Sequence, residues 1–332
     1  MGDAAGHDGA GAGDGAREIG IVGLGRMGGA LALQAAERGF RVVGTTKPPA
    51  PSELETAGVT IESSLQGLVT DLAPPRAIFL YVPAGPIVDQ VLDELADLVD
   101  TGDVIADGGN SYWGDSIRRH RRLESRGIEL VDLGTSGGIE GARHGACFMA
   151  GGTPEAVTWL EPILERLSVP GGYVYAGPPG AGHFTKLVHN GIEFGMLQAI
   201  AEGVDLLAHH RDPLPIADVL SCWRHGSVIR SWLVDLMEQA FRDRGDLETL
   251  SSHVEDTGEV SWLIADALEM DRPTPVITQA VLQLAASRDD DRTASRAVAA
   301  IRHAFGGHPI GKDAGIRRER REGRVGDIAR GT

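Results

Sequence analysis

Lys186, His189, Asn190 and Glu193 fall at i, i+3, i+4 and i+7 of the largely apolar, proline-free run from Gly180 to Gly203, GAGHFTKLVHNGIEFGMLQAIAEG. Phe184, Leu187, Val188, Ile192, Phe194, Met196, Leu197 and Ile200 supply the apolar positions, so the run predicts a mostly buried helix. On such a helix the four polar side chains stack along one face. Burying an ammonium and a carboxylate among apolar residues is costly unless they are paired or used. Two readings fit: a structural Lys–Glu pair, or an acid–base stripe lining a pocket. Because four polar residues share the face, the second is favoured. A lysine serves as a general base when an apolar pocket lowers its pKa, and as an acid once it is protonated. Lys186 and Glu193 are two turns apart, roughly 10 Å along the axis.

Gly23-Leu24-Gly25-Arg26-Met27-Gly28 follows the apolar segment Ile19–Val22 and opens a helical pattern, which is the context of a dinucleotide-binding fingerprint. The first glycine makes the turn, the second admits the pyrophosphate, and the third packs helix on strand. Dinucleotide sites that prefer NAD place a carboxylate near the end of the second strand. Here that place reads Thr45-Thr46-Lys47, two hydroxyls and a cation that suit a 2′-phosphate, so the expected cofactor is NADP rather than NAD. No His/Asp/Glu cluster has metal-ligand spacing, and no metal is expected.

Three long stretches carry a family resemblance, in order along the chain: DGGNSYWGDSIRR at 107–119, GTSGGIEGARHGACFMAGG at 134–152, and GAGHFTKLVHNGIE from Gly180. Together with the fingerprint, the chain from Glu18 to about Pro309 resembles the 6-phosphogluconate dehydrogenases, in their short bacterial form, within the β-hydroxyacid dehydrogenase superfamily. The resemblance implies oxidation at C3 of 6-phosphogluconate, loss of CO2 from the β-keto acid, and protonation of the enediol to ribulose 5-phosphate. It makes Lys186 the base and then the acid at C3, and Glu193 the acid at C1. Asn110 would bond substrate and cofactor, though a turn residue in GGNS is an alternative reading. Ser136-Gly137-Gly138 would receive the C1 carboxylate, and His189 and Asn190 the substrate hydroxyls, with a satisfied core histidine as the other reading of His189. Val82-Pro83-Ala84-Gly85 resembles the loop beside the nicotinamide and ribose.

At the phosphate end, Arg302 to His308 resembles the family's RxxFGxH element, with Arg302 and His308 reaching the substrate phosphate from a partner subunit, and Arg288 as a further phosphate ligand. A homodimer or higher homo-oligomer is therefore expected. The chain departs from the family pattern at Phe194, where long forms carry a tyrosine, and in Glu255–Trp262, where Val260-Ser261 stand in place of the glycine and basic residue that short forms show before the tryptophan. The alternative reading is a β-hydroxyacid dehydrogenase or reductase acting on a different hydroxy acid; Glu193 separates the two, because only decarboxylation needs it. A non-catalytic nucleotide sensor would not need the Lys186, Glu193 and Asn110 set.

These residues require a framework. Ile19–Val22, Arg41–Gly44, Ala77–Val82, Val104–Asp107 and Glu129–Leu133 read as buried strands alternating with helices, which predicts an α/β doubly wound parallel sheet up to about residue 176. From Gly180 on, helical patterns at 181–209, 214–222, 227–243, 258–270, 274–287 and 293–305 predict an all-α second domain. The expected division is a Gly/Ala/Asp-rich disordered tail over 1–16, a dinucleotide-binding domain over 17–178, a helical substrate and dimerisation domain over 179–312, and a charged tail over 313–332. A chain of 332 residues with a net charge of −16 argues against nucleic acid or an anionic membrane as partner, so an anionic sugar-acid phosphate must be held by local cations. Cys147 and Cys222, far apart, give no disulfide framework and fit a cytoplasmic protein, with Cys147 read as a small packing residue.

Overall fold

A computed structural model describes residues 18–322; the expected tail 1–16 and residues 323–332 lie outside them. Among the described residues, one compact unit takes in the chain up to Asp246 together with Asp256–Val281, and a second takes in Leu247–Glu255 and the chain from Leu282 on.

The first unit holds one sheet of eight strands: β1 (Glu18–Val22), β2 (Arg41–Thr45), β3 (Thr60–Glu62), β4 (Ala77–Leu80), β5 (Val104–Asp107), β6 (Glu129–Ser136), β7 (Ala146–Gly151) and β8 (Ser168–Gly177), ordered β3-β2-β1-β4-β5-β6-β7-β8. The first six are parallel, and the order reverses between β1 and β4 as in a doubly wound nucleotide fold. β7 runs antiparallel to β6, and β8 pairs parallel with β7. The sheet is therefore mostly parallel, with an oppositely directed pair added after the strands expected from sequence. The β8 segment mixes glycine with exposed residues and lacks the buried apolar run that marks β1, β4 and β5, whereas β7 is a short apolar run between glycines, buried except at Cys147.

Alternate residues of each strand enter opposite cores. Ile19, Ile21, Phe79, Ala106 and Leu133 face one apolar cluster, while Val22, Ile78, Leu80, Ile105 and Leu130 face the other. Helices α1 (Arg26–Glu37), α2 (Ser52–Thr56), α3 (Leu65–Asp71), α4 (Pro86–Ala96), α5 (Trp113–Glu124), α6 (Gly138–His144) and α7 (Pro154–Leu167) connect the strands. Covering both faces is what makes continuous apolar strands stable in a parallel sheet. One register row, Thr45–Val22–Leu80–Asp107–Asp132, crosses the sheet near the carboxyl ends of its parallel strands. Loops leaving this row carry the fingerprint, the Thr45–Lys47 segment, Val82–Ala84 and Asn110.

The same unit continues with α8 (Ala181–Ala208), α9 (Ile216–Arg224), α10 (Trp232–Arg244), α11 (Glu259–Glu269) and the start of α12 (Pro275–Ser287). No strand follows Gly177 among the described residues. α8 departs from the expected mostly buried helix. Gly182, His183, Lys186, Leu187 and Gly191 are buried in its first half, but Ile192, Met196 and Leu197 are exposed. The second unit contains the end of α12, α13 (Thr293–Gly306) and α14 (Ala314–Glu322), so part of the segment expected as a charged tail is helical. No helix of the described residues is long and apolar enough to cross a membrane.

Candidate active site

At the start of the sheet, Gly23 turns the chain out of β1 with φ +94°, and a side chain there would collide with the Tyr81 backbone. Gly28 lies against the Gly23 carbonyl, which leaves no room for a Cβ. Gly25 is different: it precedes α1, is exposed, and a Cβ there would meet nothing within 4 Å. α1 has no side-chain cap and no acidic residue in its first turn, so its leading N–H groups are available to an anion. This loop fits a dinucleotide pyrophosphate. Leu24 contributes backbone only, since its side chain is buried in the core beside Gly44, while Arg26 is exposed and Met27 half-buried. Beyond β2, Thr45 is buried, Thr46 half-buried and Lys47 exposed. Val82 is half-buried, and Pro83 and Ala84 are exposed.

α8 is placed by a carboxylate and three glycines. Asp132, buried at the row across the sheet, accepts from the backbone N–H of Gly180 (2.7 Å) and of His183 (2.8 Å), and so caps the first turn of α8 from β6. Burial pushes the Asp132 carboxyl pKa up, against the opposing pull of His183 and these N–H groups. A Cβ on Gly182 would stand 2.5 Å from the Met149 carbonyl and 2.7 Å from the Gly151 nitrogen, and one on Gly134 would stand 2.6 Å from Lys186 Cβ. Gly151 is equally crowded, with a Cβ there 2.5 Å from the Gly182 nitrogen. These positions let α8 pass against β6 and β7. Ser116 Oγ, 2.7 Å from His183 Nδ1, ties α8 to α5.

Lys186 is only 8 % exposed, and its Nζ donates to Asn190 Oδ1 at 2.7 Å and lies 3.3 Å from His189 Nδ1. His189 Nε2 is 3.0 Å from Ser136 Oγ, and its Nδ1 is 3.8 Å from Glu193 Oε2. The structure thus brings the four predicted residues of α8 into one cluster with Ser136. Burial lowers the Lys186 pKa, while the carboxylates of Glu193 and Glu259 and the Cys147 thiol oppose the shift. The His189 pKa is also lowered, first by burial and then by the Lys186 charge. A neutral imidazole and a deprotonation-prone ammonium are the states that an acid–base site needs.

Asn110 stands on a loop that Asp107 organises: the carboxylate at the end of β5 accepts from the Gly109 N–H (3.1 Å) and from Ser111 Oγ (2.7 Å). The exposed Asn110 donates through Nδ2 to Glu259 Oε1 at 3.3 Å, which links it to α11. Two residues on, Tyr112 Oη (2.9 Å) and Trp113 Nε1 (2.7 Å) both donate to the buried Asp266 of α11. Burial, with Asp266 beside it, pushes the Tyr112 pKa up to about 12. Arg119, fully buried on α5, donates to Asp89 and to the Gly85 carbonyl (3.0 Å) and lies 3.8 Å from Asp107, so it braces the Val82–Gly85 loop. Gly137 and Gly138, with φ of +109° and +60°, lead from β6 into α6 beside Ser136.

The sequence pattern missed Asp107, Asp132, Asp266, Arg119 and Glu259. The available signal for the first two was a carboxylate closing or interrupting an apolar strand. Cys147, expected to pack inside, is exposed and sits opposite Ser136 in the β6–β7 register. Its alternation along β7 turns it away from Ala146 and Phe148, which are in the core. Arg288, Arg302 and His308 belong to the second compact unit. There Arg288 donates to the Val254 carbonyl at 2.7 Å, the His308 carbonyl lies 2.9 Å from His303 Nδ1, and Arg302 is exposed. Among the described residues, no three His, Cys, Asp or Glu side chains converge as a metal site requires.

Comparison with known proteins matches residues 18–177 to the profile of the NAD binding domain of 6-phosphogluconate dehydrogenase, and residues 182–315 to that of the 6-phosphogluconate dehydrogenase C-terminal domain. The chain belongs to the 6-phosphogluconate dehydrogenase family. It is 42 % identical over 296 residues to a Bacillus subtilis protein named "Putative 6-phosphogluconate dehydrogenase YqeC", covering 89 % of this chain and 99 % of that one. To the NAD(+)-dependent, decarboxylating 6-phosphogluconate dehydrogenase of Haloferax volcanii it is 38 % identical over 298 residues, with the same coverage. Among solved structures it is similar to Plasmodium falciparum 6-phosphogluconate dehydrogenase, described apo, with NADP+ and with 6-phosphogluconate. That match has a TM-score of 0.76 and 28 % identity, over 90 % of this chain and 66 % of that longer one. The family's dinucleotide-binding domain thus spans the whole sheet, and its C-terminal domain begins at the buried first turn of α8.

Proposed function

We propose that this protein oxidatively decarboxylates 6-phosphogluconate to ribulose 5-phosphate and CO2, with reduction of NAD(P). The observation that carries this reading is the α8 face on which a buried, pKa-depressed Lys186 and Glu193 flank His189. When bound in the Gly23–Gly28 loop, the dinucleotide supplies the hydride acceptor for C3. Neutral Lys186 takes the C3 hydroxyl proton, and the resulting ammonium then donates to the C3 oxygen as negative charge builds there during loss of CO2. Asn190 holds the Lys186 amine by its hydrogen bond, and Ser136 holds His189 from the Nε2 side, leaving its Nδ1 edge towards Lys186 and Glu193. Glu193 delivers the proton to C1 of the enediol. Asn110 and the Ser136–Gly138 loop bond the substrate.

Three finer readings accompany it. NADP is preferred over NAD, because no carboxylate follows β2 and an exposed Lys47 stands just beyond it. The chain works as a dinucleotide-binding domain over 17–178 followed by a helical domain over 179–312, in the cytoplasm. It assembles as a homodimer in which Arg302 and His308 serve the substrate phosphate of the partner, with Arg288 assisting. α13 supports assembly, since it buries none of its residues and exposes Val298, Ile301 and Phe305 at helical spacing. The deciding experiment is a coupled assay on purified protein, following NADPH and NADH formation and CO2 release from 6-phosphogluconate and from gluconate. CO2 released in step with reduced cofactor, from the phosphorylated acid, is the expected result. Reduced cofactor without CO2 would overturn it in favour of a simple hydroxyacid dehydrogenase.

A further inference from the structure

α11 presents two carboxylates, Glu259 and Asp266, seven residues apart and therefore on one face of the helix. Both engage the same short segment after β5. Asp266 receives the Tyr112 hydroxyl and the Trp113 indole N–H at 2.9 and 2.7 Å, and it is buried. Two turns towards the amino end of α11, Glu259 Oε1 receives Asn110 Nδ2 at 3.3 Å. α11 also packs on α8 at Gly191, where a Cβ would stand close against Leu263 and 3.1 Å from Ile277. Glu259 is itself held, since Thr257 Oγ1 donates to its Oε1 at 2.6 Å and to Oε2 at 2.5 Å.

An asparagine amide offers donors on one side and an acceptor on the other, and an exposed amide can turn over between them. A carboxylate only accepts. Glu259 can therefore be satisfied by Nδ2 alone, and its presence removes the flipped state. We propose that Glu259 is a positioning residue of this site: it fixes the amide of Asn110 so that Oδ1 is the atom left to accept from a hydroxyl of the bound substrate or dinucleotide. Asp266 supplies the anchor and Glu259 the orientation, so α11 sets the Asn110 loop in register with α8. The inference rests on the reaction proposed above for its kinetic readout, and a spectroscopic readout stands apart from it.

Glu259→Gln keeps a carbonyl oxygen for Nδ2 but adds an amide that can donate to Oδ1, so it readmits the flipped state, whereas Glu259→Ala removes the acceptor altogether. Both variants should lose kcat/KM for 6-phosphogluconate, the Ala variant by about tenfold or more and the Gln variant by about threefold or more. In an Asn110→Ala background, adding Glu259→Ala should change kcat/KM by less than about twofold, because the coupling partner is gone. The Asn110 side-chain amide, assigned in a nitrogen–proton correlation spectrum by its loss in Asn110→Asp, should shift in both Glu259→Ala and Glu259→Gln. The proposal is overturned if the Ala and Asn110→Ala losses multiply as independent effects, if Gln is as active as the wild type, or if the amide resonances ignore Glu259→Ala. Should the wild type fail to oxidise 6-phosphogluconate, the reaction is wrong, and the spectra alone decide whether Glu259 sets the amide.

Discussion

Replacing Lys186 by Met should separate chemistry from folding. The Lys186 ammonium is buried and makes one short hydrogen bond, 2.7 Å to Asn190 Oδ1. Losing a hydrogen bond from a charged donor is worth about 1.5–3 kcal/mol. Removing an ion from a largely desolvated place relieves a penalty of several kcal/mol, on the order of the bond lost or larger. Asn190 is half-buried and can turn its amide to water. Lys186→Met should thus be as stable as the wild type at neutral pH, within about 2 kcal/mol, or more stable.

The pH dependence carries a sign. Burial holds the folded-state pKa of Lys186 below its ordinary 10.5, so between the two values the unfolded chain binds the extra proton. Stability from this group is fully present above 10.5 and is lost as pH falls through the folded value, giving the wild type a rise with pH in that window that the variant lacks. Turnover should fall by more than about a thousandfold, near 4 kcal/mol on the barrier, since general acid–base and oxyanion contributions are each about a hundredfold or more. The measurements are turnover of 6-phosphogluconate, dinucleotide binding, and urea unfolding at several pH values. A variant that keeps a tenth of the activity places the base elsewhere. One that loses more than about 3 kcal/mol shows Lys186 to be a structural ion after all.

Glu193→Gln should slow CO2 loss and enediol protonation more than hydride transfer, seen as reduced cofactor outrunning ribulose 5-phosphate; equal effects on both would remove its assigned role. The wild type should show a lower KM for NADP than for NAD, with Lys47→Ala narrowing the ratio by about fivefold, roughly 1 kcal/mol; a strong NAD preference in the wild type refutes this. Gly182→Ala forces a methyl to within 2.5 Å of the Met149 carbonyl and 2.7 Å of the Gly151 nitrogen, both backbone atoms that cannot swing aside, so it should cost about 2 kcal/mol or more in denaturant unfolding. Arg302→Ala should raise KM for 6-phosphogluconate by about tenfold, or 1.4 kcal/mol, and affect gluconate less; equal effects on both would detach Arg302 from the phosphate.

Features that repeat locally were legible before the structure. The pattern over 181–209 predicts α8, which runs Ala181–Ala208, and the pattern over 274–287 predicts α12 over Pro275–Ser287. The polar stripe of α8 is legible for the same reason, because i, i+3, i+4 and i+7 are neighbours on any helix, and Ser136 was reached through a family motif. What escaped is non-local. β8 is assigned by pairing, not by an apolar run of its own. The exposure of Ile192, Met196 and Leu197 reflects which part of α8 the sheet covers, and hydrophobicity cannot report that. Asp132 meets Gly180, Asn110 meets Glu259, and Tyr112 meets Asp266 across separations of 48, 149 and 154 residues, with no periodicity to announce them.

Buried carboxylates hold these segments in one physical form, Asp132 and Asp266 at long range and Asp107 within its own loop. Asp107, Asp132 and Asp266 are each buried, and each accepts from two donors of the segment it holds: Gly109 N–H and Ser111, Gly180 and His183 N–H, Tyr112 and Trp113. A buried carboxylate without donors is costly, and any other placement of these loops would leave it so. The penalty for misplacement therefore exceeds what an apolar contact in the same place would impose, since apolar surfaces can slide and carboxylates cannot lose both donors cheaply. Asp132 fixes where α8 begins, and with it the height of Lys186 above β6. Asp107 fixes the loop that carries Asn110, and Asp266 fixes α11 against that loop. The residues that would do the chemistry come from β5, β6 and α8, and an error of about 1 Å between them can cost a hundredfold in rate. Acidic anchors aimed at backbone N–H groups and aromatic donors are how an acidic chain can hold such a site rigid while keeping the buried amine of Lys186 for the substrate.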